Sequence, residues 1–80
     1  MMEYVALFYT QSGALKYHRY LATLGIKGEL KPVPRKLSSS CGISCVFRHQ
    51  GDFRLLITDD VDKIYSVEAD VYVLKYAAPE

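Results

Sequence analysis

The residues able to do chemistry gather in one stretch, Pro32-Val33-Pro34-Arg35-Lys36-Leu37-Ser38-Ser39-Ser40-Cys41-Gly42. A cysteine is a nucleophile through its thiolate, and nearby cations or donor groups lower its pKa. Arg35 and Lys36 stand a few residues ahead of Cys41, close enough to stabilise a sulfur anion if the chain folds back. Ser38, Ser39 and Ser40 can hydrogen-bond the same anion. Gly42 lets a backbone amide approach it, or takes a positive φ beside it. Pro32 and Pro34 restrict the backbone and shape the loop. The competing reading is plain: a free cysteine most often packs as a small, inert, buried side chain. From the residues alone both readings stand.

The other chemistry-bearing residues make a weaker case. Cys45 lies in an apolar run and reads as core, with a resolving thiol for Cys41 as the alternative. The C-x3-C spacing puts the two thiols on one face of a strand but about 13 Å apart by strand rise, too far for a disulfide unless the chain bends at Gly42. There is no CxxC pair and no second Cys/His pair, so no metal site is expected. His18 and His49 could shuttle protons to Cys41, but surface positions explain them as well. The Asp59-Asp60-Val61-Asp62 cluster lacks the glycine and terminal glutamate of a calcium loop and reads as acids at a helix N-terminus. A nucleophile without a general base and an orienting third residue makes an independent enzyme the weakest reading.

The scaffold that must position this loop reads as follows. Tyr4–Tyr9 is a short buried strand. Thr10-Gln11-Ser12-Gly13 supplies hydroxyls to cap a helix. Ala14, Tyr17, Leu21 and Leu24 recur at helical spacing, giving a helix over 13–24 that ends at Gly25 in a left-handed C-cap. Ile26–Lys31, running on to Val33, is a second strand. After the loop, Ile43–Arg48 and Phe53–Ile57 are expected to form a β-hairpin around His49-Gln50-Gly51-Asp52, with the start of a helix as the alternative for the second arm. Thr58-Asp59-Asp60 then caps a short second helix over 59–67 with Val61 and Ile64 on its face. Asp70–Tyr76 is the last strand. The order β-α-β-β-β-α-β, with the hairpin as an elaboration after the cysteine loop, predicts an α+β fold of the ferredoxin-like, split βαβ kind.

Eighty residues, half of them hydrophobic, predict one domain with a thin core, which a second copy in a homodimer or a host partner would supplement. A formal net charge of +1 gives no case for nucleic-acid binding. The charge is uneven, with eight Lys/Arg against three Asp/Glu up to residue 54, and two against six after it. That leaves basic surface around the loop. No apolar run is long enough to span a membrane. Met1–Leu7 lacks the basic start of a signal peptide, so a cytoplasmic protein with both cysteines reduced is expected.

From about Val5 to Phe47 the chain resembles the selenium/sulfur carrier protein-like family, small domains of otherwise unknown function. The resemblance rests on the strand ending in Phe8, the Ala14-Leu15 helix, Leu24-Gly25-Ile26, and above all Pro-Val-Pro-Arg followed by Ser-Ser-Ser-Cys-Gly. It implies that Cys41 holds sulfur or selenium as a persulfide or selenopersulfide. A cysteine desulfurase would load it and an acceptor protein would unload it, with no diffusible cofactor. Such exchange needs an accessible thiolate. The reading from a different class is a non-catalytic adaptor or small-anion-sensing module in which Cys41 is structural.

Overall fold

The computed structural model describes residues 1–79. The chain runs β1 (Met2–Phe8), α1 (Gln11–Thr23), β2 (Glu29–Pro32), β3 (Ile43–His49), a single 3-10 turn (Phe53–Leu56), β4 (Val61–Glu68) and β5 (Val71–Ala77). The strands form one sheet in the order β2-β3-β1-β4-β5, and every neighbouring pair is antiparallel. β1 and β2 therefore run the same way with β3 between them, joined by α1 across one face of the sheet.

The α+β class stands, but the two-helix ferredoxin-like order does not. The segment expected as a second helix, 59–67, is strand β4. Its Val61 and Ile64 share the helix-side core three residues apart because the ladder slips: Phe8 pairs with Val61 while Leu7 pairs with Lys63, leaving Asp62 as an extra residue. A β-bulge of this kind shifts the parity of the strand and imitates helical spacing. The hairpin expected after the cysteine loop is also absent. Phe53–Ile57 does not pair with β3. Asp52 accepts from the Arg54 amide at 3.0 Å and starts the 3-10 turn, whose Leu56 is buried. Thr58, Asp59 and Asp60 form a turn into β4, closed by the Val61 amide on the Thr58 carbonyl at 3.1 Å.

α1 forms where the spacing of its apolar residues predicts, starting two residues earlier. Thr10 is the N-cap, its Oγ1 accepting from the Gly13 amide at 3.0 Å. Gly25 ends the helix at φ 75°, with the Gly25 amide on the Ala22 carbonyl and the Ile26 amide on the Leu21 carbonyl. This paired 5→2 and 6→1 pattern closes the last turn and needs a residue tolerant of positive φ. Ala14, Tyr17 and Leu21 are buried against the sheet, whereas Leu24 is exposed. The core they enter holds Tyr4, Ala6 and Phe8 of β1, Cys45 and Phe47 of β3, and Val61 and Ile64 of β4. The rings of Phe8, Tyr17 and Phe47 pack within 5.2 to 6.1 Å of one another through Tyr17, whose hydroxyl donates to the Leu56 carbonyl at 2.7 Å. That bond fastens α1 to the 3-10 turn and satisfies the one polar atom the ring carries inward.

Among the described residues the other face of the sheet has no helix. Val5 and Leu7 alternate with the core residues of β1 and point to this side, yet they are buried. The long β2–β3 connection reaches this side of the sheet. Its Pro34, Arg35 and Lys36 share a cavity of about 440 Å³ with Glu3, Val67, Asp70 and Tyr72. Glu3, Val67 and Tyr72 lie opposite one another in the ladder on this same face. The Pro34–Lys36 part of the connection thus lies toward this face, whereas Cys41, near its other end, packs on the helix-side core.

Candidate functional site

The cysteine loop spans residues 33–42. Its base is closed by the Val33 amide on the Gly42 carbonyl at 3.1 Å, directly beyond the Pro32–Ile43 pair of the β2–β3 ladder. Pro34 begins a tight turn, its carbonyl accepting from the Leu37 amide at 2.9 Å. A proline in the first half of such a turn costs nothing in backbone hydrogen bonds, since it has no N–H to satisfy. Gly42 takes φ 76° and returns the chain to β3. An added Cβ there would find open space, so the conformation and not crowding calls for glycine.

After the turn the chain comes back to the junction of β1 and α1. The Ser39 hydroxyl donates to the Phe8 carbonyl at 3.4 Å and accepts from the Cys41 amide at 3.4 Å. The Gln11 side-chain amide, in the first turn of α1, donates to the Cys41 carbonyl at 3.3 Å. The Cys41 side chain is half-buried against the edge of the helix-side core. Its thiol donates to the Ile43 carbonyl at 3.3 Å, and Ser39 Oγ lies 3.8 Å from Sγ.

Of the residues expected around the sulfur, the structure brings Ser39 to it. Ser38 and Ser40 are exposed, as is Gly42. Arg35 and Lys36 are exposed on the far side of the Pro34–Leu37 turn, lining the cavity with Glu3, Asp70 and Tyr72. Among the described residues neither cation hydrogen-bonds to Sγ. Pro32 closes β2, and Pro34 stands at the start of the turn. Gln11 was not anticipated. Its contact joins residues thirty apart in sequence, so no local pattern announces it.

Cys45 has a different setting. It sits between Ala6 and Leu30 in the ladder and is fully buried. Burial pushes its thiol up to about 11, partly opposed by a backbone hydrogen bond from Glu29. Gly28 passes directly over it: a Cβ built on Gly28 would stand 2.8 Å from Cys45 Sγ and 3.3 Å from Leu21 Cδ1. His18 holds that crossing in place, its Nε2 lying 3.0 Å from the Gly28 carbonyl. His18 is therefore a bracket for the α1–β2 connection. His49 lies at the end of β3, against Gly51. Among the described residues no three His, Cys, Asp or Glu side chains gather to hold a metal ion, and no helix is long and apolar enough to cross a membrane.

Fold and loop together define a small one-helix α+β protein that presents a half-buried thiol at the junction of a strand and a helix. Residues 3–56 match the family described as "Putative Se/S carrier protein-like", and the chain belongs to that family. The matched segment contains β1 from Glu3 onward, α1, β2, the cysteine loop, β3 and the 3-10 turn, and stops before the β4–β5 hairpin. No curated protein and no solved structure matches the chain.

Proposed function

We propose that the protein carries sulfur or selenium on Cys41 and passes it between protein partners. The observation that supports this reading is the position of Cys41. It is the half-exposed one of the two thiols, and it lies within the family-matched segment on a loop fastened at defined points to a rigid sheet and helix. In the loading step the Cys41 sulfur attacks the outer sulfur of a persulfide on a donor such as a cysteine desulfurase. One S–S bond breaks on the donor and one forms on Cys41, the donor leaves as its thiol, and there is no net oxidation or reduction. Selenium would follow the same exchange, and an acceptor would take the atom by its reverse.

In this reading Ser39 is the near hydroxyl that hydrogen-bonds the loaded sulfur, with Ser38, Ser40 and the Gly42 amide reached when the thiol turns outward. Arg35 and Lys36 give the loop positive charge for an anionic partner surface, away from the sulfur itself. The test is an intact mass after incubation with a cysteine desulfurase and cysteine. A gain of one sulfur that disappears in Cys41→Ser and persists in Cys45→Ser is the expected outcome. No adduct with several desulfurases overturns the reading.

One observation favours a second reading. The Cys41 thiol is already engaged by the Ile43 carbonyl and packs on the core. A binding module with a structural cysteine would look the same. It predicts that Cys41 reacts with an alkylating reagent as slowly as Cys45 does.

A further inference from the structure

The two edges of the sheet differ. The β2 edge is short, only Glu29–Pro32, carries Glu29 and Lys31, and ends in a proline that has no amide to offer. Those features blunt an edge against pairing. The β5 edge is Val71-Tyr-Val-Leu-Lys-Tyr-Ala77, seven residues with one charge. That charge, Lys75, is an ion pair with Glu68 at 3.6 Å. Val71 and Leu74 are 58% and 52% exposed. The backbone groups on its outer side have no strand to meet, because β5 is the last strand of the sheet. A long, apolar, uncovered edge is a template for another strand.

We propose that β5 pairs antiparallel with β5 of a second copy, across a two-fold axis normal to the sheet and centred on Val73. Several features make the occupant this chain rather than another. A two-fold of this kind sets residues of the same face opposite each other. Centred on Val73, it places Val73 against its own mate on the helix side and Tyr72 against Leu74 of the second copy on the loop side. Tyr72 and Leu74 do share that face, since their β4 partners are Val67 and Tyr65. Aromatic–aliphatic pairs of this type stabilise cross-strand contacts. The regular part of β5 ends at Leu74, because Tyr65 pairs with Leu74 while Ile64 pairs with Tyr76 and leaves Lys75 bulged out of the ladder. Centred this way, Val71 stands opposite Lys75 of the second copy, and no like charges meet across the seam. The assembly also closes at two copies. Each β5 is consumed, and among the described residues the edge left at the other side of the sheet is the blunted β2 strand with the end of β3 beyond it. The result is a ten-stranded sheet with both α1 helices on one side. Cys41 is fastened to β1 and α1, so its loop stays open to partners.

A strand pair of this size buries less than the roughly 1,200 Å² of a standard interface, so the dimer is weak and is read at high concentration. Sedimentation equilibrium in a thiol reductant, up to about 500 µM, is expected to show a monomer–dimer equilibrium. Leu74→Lys, at an exposed position, is expected to weaken the dimer about tenfold or more without changing the circular dichroism spectrum or the melting temperature. Val73→Lys and Val73→Glu should each be monomeric alone and should pair when mixed. The proposal is overturned by a wild-type protein that stays monomeric at the top concentration, by a dimer that Leu74→Lys leaves intact, or by a Val73→Lys and Val73→Glu mixture that remains monomeric while both variants are folded.

Discussion

Cys41 and Cys45 are four residues apart in sequence and lie in two regions with opposite rules. Cys45 is inside the sheet, flanked by Ala6 and Leu30, roofed by Gly28 and Leu21, with its thiol pushed up by burial. Cys41 is on the loop, half-buried at the edge of the core, and is held by hydrogen bonds of 3.3 to 3.8 Å. Removing the cover from Cys45 means opening the core. Uncovering Cys41 means breaking a few long hydrogen bonds, each contributing about 1 kcal/mol.

The largest expected effect follows directly. In the native protein Cys45 reacts only through an opening of the α1–β3 region, which costs at least about 3 kcal/mol in the stable part of a small domain. Alkylation with iodoacetamide at neutral pH, followed by mass spectrometry on Cys41→Ser and Cys45→Ser, should therefore show Cys41 reacting about 100-fold faster or more. Comparable rates for the two thiols would erase the comparison and, with it, the main support for a carrier role.

A second experiment probes the roof over Cys45. Gly28→Ala places a methyl 2.8 Å from a buried sulfur and 3.3 Å from Leu21 Cδ1. Overpacking of this kind costs about 1–3 kcal/mol, and the upper part of that range is expected because neither neighbour is free to swing into solvent. Cys45→Ala removes the sulfur and should return much of the loss in the double variant, measured by urea denaturation. Strict additivity of the two substitutions would show that the clash does not set the cost. Neither change should alter the alkylation rate of Cys41.

The contrast between the regions also explains what could be read in advance. α1 was legible because Ala14, Tyr17 and Leu21 repeat at helical spacing, Thr10 can cap, and Gly25 can turn left-handed; all are local signals. β4 was not, because the bulge at Asp62 sets Val61 and Ile64 three apart and copies the helical signal. Phe53–Ile57 carries a strand-like composition, but the Asp52 cap is a two-residue effect that overrides it. In the site, Cys41, Gly42 and the prolines were legible as a loop. The path of that loop was not. The Pro34–Leu37 turn sends Arg35 and Lys36 over the far face of the sheet toward Tyr72, and the thiol segment is tied down by Ser39 on Phe8 and by Gln11 on Cys41, contacts about thirty residues long in sequence. Such contacts depend on how layers stack, and no periodicity encodes them.

A pH dependence isolates the buried thiol. Cys45 is raised from an ordinary 9.0 to about 11 in the folded protein. Below pH 9 both folded and unfolded chains hold the proton, and the contribution to stability is fully present. Between pH 9 and 11 the unfolded chain ionises while the folded one does not, so stability falls as pH rises. Two units correspond to about 2–3 kcal/mol over that window, with the lower figure expected once the core relaxes around the sulfur. Tyr17, also raised by burial, adds a further loss that begins above its ordinary 10.0. Urea midpoints measured from pH 7 to 10.5 should therefore decline from about pH 9 in the wild type and in Cys41→Ser alike. In Cys45→Ala they should stay level until Tyr17 begins to contribute. A decline that follows Cys41 instead would place the perturbed, core-locked thiol on the loop and reverse the assignment of the two regions.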